Sequence, residues 1–151
     1  MMDHLKLWVI DLLDGINENQ QNETCTKLLK GCGRECAKRN ALPHMDRLKS
    51  ELAQFTDMEE IVKLIPIATG AECTPEENGF IVSYNRGRGC DCALVRDLAQ
   101  DGHVVSTAIC NCTLGFHETY WSTMFDRPVS VELLETFLRG GDCCSQRITF
   151  M

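Results

Sequence analysis

Two Cys-x-Cys pairs, Cys90-Asp91-Cys92 and Cys110-Asn111-Cys112, carry the clearest chemistry in a chain of 151 residues and ten cysteines. Thiolates are soft ligands, and sulfur-rich tetrahedral sites select zinc or iron–sulfur centres over hard cations. Residues two apart on an extended strand face one side, so each pair would present both sulfurs together. A strand-borne pair is too widely spaced to chelate unless the backbone bends, so a turn is expected at one or both pairs. Brought together, Cys90, Cys92, Cys110 and Cys112 could surround a zinc ion at about 2.3 Å, with Cys144 as a further donor. The spacing alone leaves a metal site, a redox pair and a reactive thiol open. Free cysteine is also a common buried residue, but two separate pairs are hard to explain as inert filling.

The other reactive side chains are more ordinary. Cys32 and Cys36 lie one helical turn apart, where they could share a metal, line a pocket or simply pack a helix on a sheet. Cys25 and Cys73 read as core. Cys143 and Cys144 are neighbours on an expected strand and point to opposite faces, so only one can join an interior site. His117 lies five residues past Cys112, about 140° around a helix, so no local Cys–His dyad follows. Glu132 and Glu135, three apart, fall on opposite sides of a regular strand. One is solvated; the other could hydrogen-bond a thiol, coordinate a metal or act as a base. No Gly-x-Ser-x-Gly, His-Glu-x-x-His or phosphate loop is present.

Composition narrows the partners. A formal net charge of −7 argues against nucleic acid, which needs a basic footprint. The compact basic run Arg86-Gly87-Arg88 reads as a solvated turn. Hydrophobic residues at 44% and charged residues at 25% describe a globular chain. No apolar run approaches the roughly 18 residues of a membrane span. The start Met1-Met2-Asp3-His4 lacks the basic region of a secretory signal, so a reducing cytoplasm with free or metal-bound thiols is expected. A homodimer stays open.

These residues must be positioned by elements whose apolar period changes along the chain. Asp3 can cap a helix carrying Leu5, Trp8, Leu12 and Ile16. Asn22 opens a second, weakened in its middle by Gly31 and Gly33. Pro43 suits the first turn of a third helix reaching Phe55. Thr56 or Asp57 caps a fourth, stopped before Pro66. After Pro66 the pattern is β-branched and aromatic. Gly79–Asn85 and Cys90–Val95 read as a hairpin about Arg86–Gly89. A helix is expected over 113–125. A strand opens at Val129–Leu133, turns at Gly140-Gly141-Asp142 and returns over Cys144–Phe150. The reading is one α+β domain over 1–151, in which N-terminal helices over residues 1–65 pack on an antiparallel sheet in 78–151.

Three segments carry a family likeness: Cys110-Asn111-Cys112-Thr113-Leu114-Gly115-Phe116, Arg127–Glu135, and Gly140-Gly141-Asp142-Cys143-Cys144. Together they resemble the C-terminal signature of 4-vinyl reductase-like domains, which are small-molecule-binding α+β modules. The chain is most similar to their cysteine-rich bacterial and archaeal relatives, which share the helix motif of Cys32–Ala37. It also resembles L-2-amino-thiazoline-4-carboxylic acid hydrolase-like proteins. The first resemblance implies zinc held by cysteines and a glutamate. Cys110 and Cys144 fall at two of those cysteine places, Thr136 at the third, and Leu133, flanked by Glu132 and Glu135, at the glutamate. Cys90, Cys92 and Cys112 could supply the missing ligands.

Two function classes follow. One is a ligand-binding or sensor-like module, organised by thiolate-bound zinc or an iron–sulfur centre and holding a small, partly apolar molecule between helices and sheet. The other is a cysteine-dependent hydrolase, with Cys112 as nucleophile and Glu135 as base. Both expect Cys110, Cys112, Cys144 and Glu135 around a pocket at the start of the 113–125 helix, whose N-terminus should lower a nearby thiol pKa. Phe116 and Tyr120 would form its apolar wall, and Cys32, Cys36 and the Gly140–Asp142 turn would close it.

Overall fold

The apolar period changes where the architecture changes. The computed structural model, which describes residues 4–18, 23–90 and 92–151, begins with four helices: α1 (His4–Glu18), α2 (Glu23–Asn40), α3 (Asp46–Leu52) and α4 (Met58–Thr69). Strands β1 (Glu72–Glu76) and β2 (Gly79–Tyr84) follow, then α5 (Ala93–Gln100), α6 (Cys110–Phe125), β3 (Val129–Glu135) and β4 (Cys144–Phe150). The four strands form one antiparallel sheet in the order β1-β2-β4-β3. The chain is therefore α+β, with α6 preceding a C-terminal hairpin. Among the described residues no helix is long and apolar enough to cross a membrane.

Helix boundaries follow local chemistry, with some corrections. Asp57 caps α4 as expected, its carboxylate accepting the Glu59 N–H at 3.1 Å. The helix does not stop before Pro66, however. It runs on to Thr69 and ends at Gly70, in the left-handed region with φ 71°. One backbone bond is lost at Pro66, but burial of Ile61, Val62 and Ile65 holds the turn in place. The expected Pro43–Phe55 helix is divided into a single 3-10 turn, Leu42–His44, and α3. The Asp3 cap and the Asn22 start lie outside the described residues.

Gly31 and Gly33 do not interrupt α2. A Cβ built on Gly33 would sit 1.9 Å from the Cys112 carbonyl oxygen, and one on Gly115 1.9 Å from that of Lys30. Glycine is required at both places because α2 and α6 cross backbone to backbone.

The first hairpin is β1–β2, turning at Glu77-Asn78, and not the pairing expected about Arg86–Gly89. The sheet thus begins at Glu72, before the expected 78. Residues 93–100 form α5, which buries Val95 and Leu98, three apart on one helical face. One sheet face carries Phe80, Val82, Ile148, Phe150 and Val129 against Tyr120, Trp121 and Met124 of α6, with α3 and α4 alongside. The opposite face is polar: Ser83 and Ser145 hydroxyls meet at 2.9 Å, and Arg147 bridges Glu76 and Glu132. A smaller cluster joins α1, α2 and α5 through Leu13, Ile16, Leu29, Val95 and Leu98. A bulge between Leu133 and Glu135 sets Glu132 opposite Arg147 and Glu135 opposite Ser145, so both carboxylates share the polar face.

Candidate thiol site

Neither Cys-x-Cys pair lies on a strand. Cys110 and Cys112 occupy the first turn of α6, and Cys92 stands at the N-cap of α5. Residues two apart on a helix diverge by about 200°, so Cys110 and Cys112 look different ways. Cys110 is buried, its thiol 3.3 Å from the Thr136 hydroxyl at the end of β3. Cys112 belongs to the α2 crossing, its carbonyl pressed on Gly33 between Cys32 and Cys36. Cys90 packs on the smaller cluster and shares a hydrogen bond with Cys144 at the start of β4. Ionisation of Cys110 is disfavoured by its neighbours Cys144 and Cys92, and that of Cys112 by Cys36, Cys92 and Cys32. Four segments therefore bring Cys32, Cys36, Cys90, Cys92, Cys110, Cys112 and Cys144 into one neighbourhood.

Burial governs their protonation. It raises the Cys110 thiol and pushes Cys112 up to about 12, with the neighbouring thiols adding to the rise. The hydrogen bond with Cys144, and then burial, raises Cys90. The expected lowering by the helix N-terminus does not occur, because losing water costs the thiolate more than the partial dipole charge returns. All ten cysteines carry free thiols. As donors these sulfurs suit a soft cation, yet among the described residues no three His, Cys, Asp or Glu side chains converge on one ion position.

Glu135 serves the turn beside this site. Its carboxylate accepts the Asp142 N–H, which holds it below its ordinary pKa, and lies 3.6 Å from the Cys143 thiol. Gly141 leaves the room, since a Cβ there would fall 2.2 Å from Glu135 Cγ. Cys143 is fully buried and interacts with Ser83 on the polar face, whereas Cys144 turns toward Cys90. A cleft of about 220 Å³ lies among Leu133, Glu135, Thr136, Arg139, Gly140 and Gly141. Arg139 closes its other end, donating to Asn111 Oδ1 at 3.4 Å. Arg139 belongs to no motif of the sequence; its one local signal is its place directly before the Gly140-Gly141-Asp142 turn.

Phe116 and Tyr120 do not face that cleft. Tyr120 is buried in the main core and Phe116 stacks on it at 6.0 Å. His117 is turned inward too. Trp121 Nε1 donates to its Nδ1 at 3.2 Å, and burial lowers the imidazole to about 3, so the ring is neutral. Comparison with protein-family models and with curated proteins finds no match to this chain.

Proposed function

We propose that this chain is a ligand-binding or sensor domain of the cytoplasm organised by thiolate-bound metal, zinc or an iron–sulfur centre. Cys90, Cys110 and Cys144 would hold it, with Cys92 and Cys112 beside them. The observation that carries the reading is the meeting of Cys90 with Cys144, 54 positions apart in sequence (144 minus 90), beside Cys110. Resemblance to 4-vinyl reductase-like domains adds support. Thr136, at the place of their third cysteine, stands against Cys110, and Cys90 reaches the same end of the sheet from another segment. A small, partly apolar molecule would occupy the adjoining cleft, with Leu133 as wall and Thr136 and Arg139 as polar anchors. The hydrolase reading has weaker support, because burial raises Cys112 and Glu135 is engaged with its turn.

Anaerobic purification followed by elemental and sulfide analysis tests the proposal. Stoichiometric zinc, or iron with sulfide, is expected, and a chelator should lower the melting temperature because metal binding contributes to folding. Metal-free protein whose melting is indifferent to chelator and to added metal would overturn it.

A further inference from the structure

Exposed apolar side chains are unevenly shared among the elements. Phe55, Ile67, Leu94, Val104 and Leu134 come one to a segment, whereas α1 alone shows Leu5, Trp8 and Leu12. Their spacings of three and four place them in one stripe along the helix. Trp8 is 60% exposed and Leu12 43%, although another side of α1 buries Leu13 and Ile16. Asp11 and Glu18, seven apart, run beside the stripe on the side away from those two core residues. Neither makes a salt bridge among the described residues. A stripe of this kind rimmed by charged residues marks an interaction face.

The neighbouring helix offers the complement. α2 carries five basic residues, Lys27, Lys30, Arg34, Lys38 and Arg39, against two acidic ones, in a chain of net charge −7. A surface groove of about 770 Å³ runs along it from Leu28, 56% exposed, to Arg39. Gly31 keeps the groove open, since an added Cβ there would meet only Arg34 Nη2, at 3.8 Å. The three lysines pair with Glu23, Glu118 and Glu35, which leaves Arg34 and Arg39 without a salt bridge among the described residues. The groove therefore suits an apolar helical ridge that bears carboxylates. α1 is such a ridge, and in its own chain it lies elsewhere, because Trp8 and Leu28 are both exposed.

We propose that a second copy of this chain docks here, the α1 stripe of each copy seated in the α2 groove of the other. α1 and α2 meet in the smaller cluster through Leu13, Ile16 and Leu29, so ridge and groove are neighbours that a two-fold axis can match to themselves. Asp11 and Glu18 of one copy would face the guanidiniums of the other, Arg34 and Arg39, and opposite charges would fix the register. The contact does not depend on the thiolate-metal reading.

Reciprocal charge reversal tests the pairing. Sedimentation equilibrium of the reduced full chain should give about twice the 17.0 kDa of one copy. Asp11→Lys/Glu18→Lys and Arg34→Glu/Arg39→Glu should each be monomeric, because both contacts in either homodimer then oppose like charges. All four positions are exposed, so the circular dichroism spectra should be unchanged. An equimolar mixture of the two variants should regain the dimer, since each contact in the mixed pair again joins opposite charges. Monomeric wild type overturns the proposal, and an open series of larger species overturns its two-fold symmetry. Dimers that persist in either variant place the contact elsewhere and overturn it, as do monomeric variants that fail to pair when mixed.

Discussion

From His117 onward α6 faces aromatic and aliphatic side chains, whereas its first turn and Gly115 face sulfur and backbone. In the second half, Trp121 is fully buried between Phe80, edge-on at 5.0 Å, and Tyr120 at 4.7 Å, with Phe125 and Met124 beyond. Stability there comes from area removed from water and from ring geometry. In the first half, Gly115 and Gly33 replace side-chain packing by direct backbone approach, which is how α2 is brought to Cys112. That approach gives up apolar burial and gathers polarizable donors instead. One helix thus divides its length between packing the core and placing thiols beside α2. Substitutions in the two halves should have effects of different size and kind.

The sharpest way to break that comparison is to remove the largest side chain of the core half. Trp121→Ala is expected to cost about 3–5 kcal/mol, as deletion of a buried aromatic generally does. Cys32→Ser, at an exposed position, should stay within about 0.5 kcal/mol. Urea denaturation of both variants measures the contrast. Similar losses would mean that the thiol end carries as much of the fold as the core.

The two halves should also titrate at opposite ends of the pH scale. His117 is lowered from 6.5 to about 3, so between these values the unfolded chain takes up a proton that the folded chain refuses. Stability therefore falls as pH drops through that window, by about 1.4 kcal/mol per pH unit at most. His117→Gln, which keeps an acceptor for Trp121, should flatten this acid limb. Cys112 is raised from 9.0 to about 12, so above 9 the unfolded chain loses its proton first. The thiol contribution is complete below 9 and is lost as pH rises toward 12. Melting temperatures of chelator-treated protein should decline on both sides. An acid limb unchanged in His117→Gln would remove the imidazole as its cause.

Much of this division was legible in the residues, for identifiable reasons. The α4 cap at Asp57, the strand of Val129–Leu133 and the opposed faces of Cys143 and Cys144 follow from local rules, and local rules held there. The Cys90–Val95 strand failed because Ala93, Leu94 and Val95 are equally apolar in either period; only Leu98, three past Val95, signals the helix. Strand β1 was hidden by Pro75, which an edge strand tolerates because its outer N–H row is unpaired. The bulge after Leu133 shifted Glu135 to the face of Glu132, a change that no count along the strand foretells. Ten cysteines were legible as such in the residues. Which thiols meet depends on the α2–α6 crossing and on contacts between distant segments, such as Cys90 with Cys144, that no local pattern encodes.

Gln146 marks the line between the two regions, and its replacement should change stability less than loss of Trp121 does. It lies on the core face of β4, two residues from Cys144, in register with Val82 and Leu133. It is fully buried, and neither amide atom has a hydrogen-bond partner among the described residues. A buried polar group left without a partner costs about 1–3 kcal/mol, whereas an apolar group of similar shape carries no such cost. Gln146→Leu is therefore expected to raise stability by about 1 kcal/mol, with an unchanged dependence of unfolding free energy on urea. That result would assign the position to the core half. A loss of stability would mean that the amide is hydrogen-bonded in solution, and that the polar region around the thiols extends one residue pair deeper along β4 than Cys144.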